Sequence, residues 1–339
     1  MKILIIGAGG FIGSNLIQYL IGRGEHEIVG VDITDDKLHD ISGPNFTFIH
    51  SDVTQSPELC DKLVSESDVV VDLIAYANPS IYVSSPLEVA KLNFFENLKI
   101  TEMCIKYGKR LFQYSTSEVY GKAGHQGAYS EETSDLIMGP TTKQRWIYAS
   151  GKQYLERIIH AHGLLGEIEY TIVRPFNFVG PRFDYLVEAE TLGGPRVFAH
   201  FMSALITGGP IYLVDGGEQR RSFTHIDDAS DAFTVLLDNP AAINQIYNIG
   251  NPETDMSIRE LAQFMASLYE DLTGKKPENE LIEISGEDFY GVGYEDMDRV
   301  PPDITKLQRL GWEPTRGKRQ TFVDAVEYNL NPKVYASIV

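Results

Sequence analysis

A hydroxyl-rich stretch, Ser115-Thr116-Ser117-Glu118-Val119-Tyr120-Gly121, directly follows a run of strand length at residues 110–114. Further on come Tyr148 and Lys152, four apart and so on one face of a helix. Such a set suits hydride chemistry at an alcohol carbon beside a nicotinamide. A Lys ammonium and an oxidised nicotinamide both favour phenolate, so the Tyr148 pKa is expected to fall from ~10 toward working pH. Tyr148 would take the hydroxyl proton as the hydride leaves, with Thr116 or Ser117 steadying the same oxygen. On spacing alone, an exposed Tyr/Lys pair on a helix is commonplace. Its meaning depends on the elements that position it.

Residues 2–6 form a continuous apolar run, the pattern of a strand buried on both faces. Gly7-Ala8-Gly9-Gly10-Phe11-Ile12-Gly13 follows, and helical periodicity continues from Ser14. Here Gly7, Gly10, Phe11, Ile12 and Gly13 can bring backbone close to a pyrophosphate at a helix N-terminus. A second strand, residues 27–31, ends in Asp32, about twenty residues past the last glycine, where a carboxylate takes both ribose hydroxyls. It would repel a 2′-phosphate, which favours NAD over NADP. Residues 46–49 with 52–53 read as a third strand whose exit, Asp52 and Val53, flanks the adenine. Residues 68–73 read as a fourth strand. Leu73 and Ala75 at its exit, and Asn93 in a helix over 87–107, complete the expected cofactor contacts with Tyr148 and Lys152. A fifth strand (110–114), a helix (144–162) and a sixth strand (170–175) follow. Strands alternating with helices predict an α/β fold: a Rossmann-type doubly wound parallel sheet with ligands at the carboxyl strand ends.

After Asn177 that alternation breaks down and Gly and Pro become frequent, which predicts a smaller interleaved C-terminal lobe. The expected division is residues 1–176 and 219–249 for the NAD-binding domain, and 177–218 and 250–339 for the substrate lobe. Arg196 opens a helix to about residue 207. Residues 227–238 read as a helix and 245–249 as a buried strand. Ser257-Ile258-Arg259-Glu260 has the capping-box pattern of a helix start.

The chain has 339 residues, 43% hydrophobic and 23% charged, in the range of ordinary globular proteins. A formal charge of −19 argues against nucleic acid as a partner. No apolar run approaches the ~20 residues of a membrane span, and residues 2–6 are too short for a signal peptide. Two cysteines, Cys60 and Cys104, make neither a disulfide framework nor a metal cluster, which points to a reducing cytoplasm. His50, His125, His160, His162 and His225 are scattered, so no metal is expected.

Together, the Gly-rich turn, Asp32, the strand-end hydroxyls and the Tyr148/Lys152 pair resemble the extended short-chain dehydrogenase/reductase superfamily, in the branch acting on nucleotide-sugars. The resemblance runs from Gly7 to about Pro314. Thr116-Ser117-Glu118 is similar to the UDP-glucuronate decarboxylases, in which the Glu assists the decarboxylating intermediate and a downstream Arg pairs with it. The segment Phe289-Tyr290-Gly291-Val292-Gly293-Tyr294-Glu295-Asp296-Met297-Asp298-Arg299 resembles one shared by the bifunctional polymyxin-resistance decarboxylases and the plant UDP-apiose/UDP-xylose synthases. That resemblance implies Tyr294 and Arg299 at the sugar site. Lys143-Gln144-Arg145-Trp146, Val173-Arg174-Pro175-Phe176-Asn177 and Gly194-Pro195-Arg196-Val197 extend the likeness to the synthases. The family implies substrate contacts at Tyr82, Arg145, Asn177, Arg182, Arg196 and Arg221, and a homodimer formed by the helices over 87–107 and 144–162. One departure matters. The plant enzymes carry cysteines where this chain has Ser117 and Ala77, and those thiols are tied to the contraction that makes apiose.

The expected reaction is therefore NAD-dependent decarboxylation of UDP-glucuronate through a C4 ketone, giving UDP-xylose or the 4-keto-pentose. A UDP-hexose or UDP-uronate 4-epimerase is the alternative on the same frame, and Glu118 with Arg299 favours decarboxylation. A non-catalytic NAD-sensing protein would not need Thr116, Tyr148 and Lys152 together.

Overall fold

The computed structural model describes residues 1–123, 127–194, 196–297, 300–331 and 334. Arg299 and His125 lie outside the described residues. The first half alternates strand and helix: β1 (Lys2–Ile6), α1 (Phe11–Arg23), β2 (Glu27–Asp32), β3 (Phe46–His50), α2 (Pro57–Glu66) and β4 (Val69–Asp72). Two short helices follow, α3 (Pro79–Ser84) and α4 (Pro86–Ala90). Helix α4 then runs through a π-helical turn, Lys91–Glu96, into α5 (Asn97–Tyr107). Next come β5 (Arg110–Tyr114), α6 (Ile147–Leu164) and β6 (Tyr170–Pro175). The second half holds β7 (Phe178–Val179), α7 (Val197–Thr207), β8 (Ile211–Val214), β9 (Arg220–Arg221), β10 (Thr224–His225) and α8 (Ile226–Asp238). It ends with β11 (Gln245–Ile249), β12 (Met256–Ser257), α9 (Ile258–Thr273), β13 (Leu281–Ile284), α10 (Gly286–Tyr290), α11 (Thr305–Gln308) and α12 (Lys318–Asn329).

Seven strands form one sheet in the order β11-β6-β5-β4-β1-β2-β3, every neighbour parallel. The order reverses between β1 and β4, the switch point at which such sheets bind ligands. Both faces are buried, and the residues alternate between them. Ile3, Ile5, Val69 and Val71 join one core, while Leu4, Ile6 and Val70 join the other. The doubly wound sheet expected from the sequence is thus borne out. The third strand is shorter at its exit than expected: it stops at His50, and Asp52 forms a turn by accepting the Thr54 amide and hydroxyl, each at 2.8 Å.

Beyond β6 the chain builds small two-stranded sheets, β7 with β10, β9 with β12 and β8 with β13. These sit among α7, α9 and α12 in the same continuous core as α1 and α8. Helix α9 starts at the capping box read from the sequence. Ser257 Oγ accepts the Glu260 amide at 3.0 Å, and Glu260 accepts the Ser257 amide at 2.7 Å.

Candidate active site

At the β1–α1 turn the wall of the cleft is main chain. Gly7 has φ +91°, and a Cβ there would lie 3.1 Å from the backbone of Leu73. Gly9 is tighter still, since a Cβ would fall 2.0 Å from the Thr34 carbonyl oxygen. The Gly10 cap makes no side-chain hydrogen bond, which leaves the first N–H groups of α1 for an anion. Asp32 accepts the Gly9 amide at 2.9 Å and the Ile33 amide at 2.6 Å, and burial raises its pKa against the pull of these donors. A tight glycine cradle, a bare helix N-terminus and a carboxylate at the β2 end fit a dinucleotide with free ribose hydroxyls.

The cleft leading away from this cradle encloses about 650 Å³, a volume typical of small-ligand sites. It is lined by Gly7, Gly10, Phe11, Ile12, Gly13, Asp32, Leu73 and Ala75 at the cradle end. Thr116, Ser117, Glu118, Arg145 and Tyr148 line its middle, and Tyr82, Asn177, Arg196, Arg221 and Tyr294 its far part. Ala77 also faces the cleft, so both positions that lack the plant thiols are on its wall.

Helix α6 and the end of β5 bring the hydroxyls together. Thr116 Oγ1 accepts the Glu118 amide at 3.1 Å, capping a 3₁₀ turn over Ser117–Tyr120, and its hydroxyl also bonds Tyr148. The Tyr148 ring stacks on Tyr82 with centroids 4.6 Å apart and planes 12° from parallel. Burial and the Glu118 charge push the Tyr148 phenol well up, while Thr116, Arg196 and Arg145 pull it down. The acidification expected from Lys152 is therefore not what this structure holds. Lys152 instead donates to Asn97 Oδ1 at 2.6 Å and to the Tyr114 carbonyl at 3.1 Å. Burial lowers its pKa to about 8.

Arg299, expected to pair with Glu118, lies outside the described residues. Among the described residues Arg145 reaches Glu118, its Nη1 2.8 Å from the carboxylate. Arg145 is 1% exposed and lies over the rings of Trp146 and Tyr82 at 4.9 and 6.0 Å. Its Nε is buried with no hydrogen-bond partner among the described residues.

Residues 290–297 close this side, and the first half of the chain holds them. Trp146 Nε1 donates to Glu295 at 2.7 Å, Lys122 pairs with Glu295 at 2.6 Å, and the Arg145 amide donates to the Gly293 carbonyl at 3.4 Å. Arg221 reaches Asp296 at 3.1 Å, and Tyr294 stacks on Tyr290 at 4.4 Å. Arg196 lies 4.3 Å over Phe183 and pairs with Asp184 at 3.3 Å. Asn177, at φ +40°, donates to the Ser222 carbonyl at 3.0 Å.

Five expected site residues lie off the cleft wall. Asp52 is spent in its turn, and Val53 packs into the second core. Asn93 is buried in the π-turn and holds Tyr76 by both amide groups, at 2.8 and 2.9 Å. Lys152 sits behind the wall, bonded to Asn97 and the Tyr114 carbonyl. Arg182 donates to Gln18 at 2.8 Å and Asp40 at 2.9 Å, so its guanidinium ties the lobe to α1 and the loop after β2. Sequence reasoning missed Gly9, Asn97 and His200. Gly9 stood inside the Gly-rich run, and Asn97 stands one turn from Asn93 on the same helical face, a readable signal. His200, buried between the edges of Tyr212 and Phe289 at 5.5 Å each, carried none.

Residues 3–250 match the model of the NAD dependent epimerase/dehydratase family. The chain is 37% identical to a UDP-D-apiose/UDP-D-xylose synthase of Oryza sativa subsp. japonica, over 93% of this chain and 85% of that protein. The PbgP3 protein of Burkholderia pseudomallei is 34% identical and superposes with a TM-score of 0.87, covering 100% of this chain and 99% of that one. A UDP-glucose 4-epimerase of Thermotoga maritima, solved with UDP-glucose, is 24% identical with a TM-score of 0.78, over 97% and 98% of the two chains, and shares the fold.

Proposed function

The chain belongs to the NAD dependent epimerase/dehydratase family, and from that premise we propose that it decarboxylates UDP-glucuronate through a C4 ketone, giving UDP-xylose or the UDP-4-keto-pentose. The observation that carries this reading is Arg145, a buried guanidinium lining the cleft and paired with Glu118. A uronate carboxylate arriving beside Tyr148 can compete with Glu118 for that guanidinium, whereas a neutral hexose has no anion to offer it.

NAD is the cofactor, held by Gly7, Gly10, Phe11, Ile12, Gly13 and Asp32 with Leu73 and Ala75 beyond, and when bound it supplies the hydride acceptor at C4 and can return the hydride. Tyr148 takes the proton from the C4 hydroxyl, and Thr116 bonds the same oxygen. Once C4 is a ketone, the C5–C6 bond breaks with its electrons flowing into the carbonyl. Thr116 and Tyr148, as donors at that oxygen, stabilise the enolate while CO2 leaves. Glu118 and Arg145 hold the carboxylate end and are placed to manage the proton that C5 then needs. Ser117 lines the same wall. Arg299 is kept as a second cation for the carboxylate on the family likeness alone. Tyr82, Asn177, Arg196, Arg221 and Tyr294 contact the sugar and diphosphate, and Arg182 supports them from outside the cleft. Ser117 and Ala77 in place of thiols argue against apiose as product.

The sheet with β11 is the cofactor domain (residues 1–176 and 219–249), and residues 177–218 and 250–339 make the substrate lobe. Leu87, Phe95 and Tyr154 are more than half exposed on the α4–π-turn and α6 face, which suits a second copy of this chain. Light scattering that gave a monomer at micromolar concentration would count against that pairing. Buried free thiols at Cys60 and Cys104 agree with a reducing cytoplasm. The deciding experiment incubates the protein with UDP-glucuronate and NAD and follows CO2 and the sugar by NMR. Release of CO2 with a pentose product supports the reading; a C4 epimer without CO2 sinks it.

A further inference from the structure

Behind the cleft, on the sheet face that carries α5 and α6, sits a carboxylate that the reaction scheme leaves unused. Asp72 ends β4 and is 0% exposed. One oxygen accepts the Ile74 amide at 3.2 Å, and the other makes no hydrogen bond among the described residues. A carboxylate this buried and this poorly bonded is costly unless a charge answers it. No cation among the described residues lies within 4 Å of it; the one whose charge reaches it is Lys152, linked to it through the side-chain amides of Asn97 and Gln113. Its ammonium is 1% exposed and rests on Asn97 Oδ1, which also receives the Gln113 amide at 3.4 Å, and Gln113 stands beside Asp72 across the β4–β5 pair. The other carboxylate near Lys152 is Glu156, which Arg174 already binds at 2.6 and 3.1 Å.

We propose that Asp72 is a positioning residue for the reaction, its buried carboxylate being the counter-charge that keeps Lys152 an ammonium one helical turn from Tyr148. The proposal rests on the role given above to Tyr148 and Lys152. Cys60 of α2 and Cys104 of α5 face Asp72, and burial pushes Cys60 up to about 11 and Cys104 higher, so both stay neutral thiols. Burial raises Asp72 to about 6 and lowers Lys152 to about 8, each charge opposing the other's shift. Between those values both are ionised. Above the upper one Lys152 loses its proton, and below the lower one Asp72 gains one.

The test is an NMR titration of Lys152 in the full chain, using ε-¹³C-lysine with the signal assigned by its loss in Lys152→Arg. In Asp72→Asn the Lys152 midpoint should fall by about one unit, roughly tenfold in the amine/ammonium ratio at a fixed pH above it. The alkaline limb of kcat for CO2 release from UDP-glucuronate should move down with it, while KM stays within about twofold. A folded variant whose Lys152 midpoint is unmoved overturns the proposal, as does a uniform loss of kcat at every pH. If Asp72→Asn does not fold, the unmodified protein decides. Its Lys152 signal should show a second inflection near pH 6 as Asp72 ionises, and a single inflection overturns the pairing. Absence of CO2 release by the unmodified protein would instead break the decarboxylase reading and leave this titration standing.

Discussion

At the cofactor end of the cleft the wall is largely backbone drawn from one short turn, with Asp32 and Lys37 as charged side chains among the described residues. At the sugar end the wall is side chains from widely separated segments: Tyr82, Arg145, Arg196, Arg221 and Tyr294. The first end needs closeness, and Gly9, with only 2.0 Å between a would-be Cβ and the Thr34 oxygen, shows how little room is left. The second needs charge, which has to be carried in from afar and neutralised until substrate arrives. Arg145 waits on Glu118, Arg221 on Asp296 and Arg196 on Asp184. In a chain of net charge −19, the proposed reading leaves anion recognition to a few paired arginines. A pyrophosphate site can be specified by geometry; the proposed uronate site would be specified by which ion pair opens.

Several substitutions break or sharpen that contrast. The largest effect belongs to the junction. Tyr148→Phe should lower kcat by about 10³-fold with little change in the affinity of either ligand, and a drop of less than tenfold in stopped-flow turnover would remove Tyr148 from proton transfer. Next is Arg145→Met, which leaves Glu118 without this cation against buried rings. It should cost about 3 kcal/mol in urea unfolding and abolish detectable CO2 release; a stable, active variant would show that Arg145 is scaffold only. Gly9→Ala should weaken NAD binding by about 10–100-fold, following the 1–3 kcal/mol of an overpacked contact. UDP-glucuronate binding by calorimetry should be nearly unchanged, and an equal loss of both ligands would refute the division into two ends. The smallest effect is Arg221→Ala. A KM rise of about threefold to tenfold at unchanged kcat is expected, the signature of binding energy shared by ground and transition states.

What could be read from the sequence follows the same contrast. Strand β1 was legible as an apolar run because a strand buried on both faces leaves little else to choose, and β5, β6 and β11 as segments of strand length. The Gly-rich turn and Asp32 were legible because their chemistry is local. The Glu118–Arg145 pair was not, since nothing in residue type or spacing links a strand-end turn to the start of a helix 27 residues on. Arg182 misled for a physical reason. The family likeness implies a substrate contact there, but Asp40 and Gln18 take its guanidinium in this structure. The pairing of β8 with β13 was also invisible, because Leu281–Ile284 is too short and too exposed to announce itself. Lys152 shows a subtler limit. Its type and spacing were right, yet burial lowers its pKa, and only the fold reveals the carboxylate that opposes the shift.

The wide turn at Lys91–Glu96 holds one residue more than an α-helix would fit in the same length. Upstream of it α4 packs on α6; within it Asn93 grips the backbone of Tyr76; past it Asn97 takes the Lys152 ammonium. Loss of a single codon there would convert the turn to ordinary helix, keeping α4 and α5 in register but moving residues of the turn itself around the axis by as much as about 100°. Asn93 would let go of the loop after β4 while Asn97 kept its grip on Lys152. In a lineage, that one in-frame deletion would be a far sharper lesion than any substitution on the cleft wall, although it touches no residue that meets the sugar.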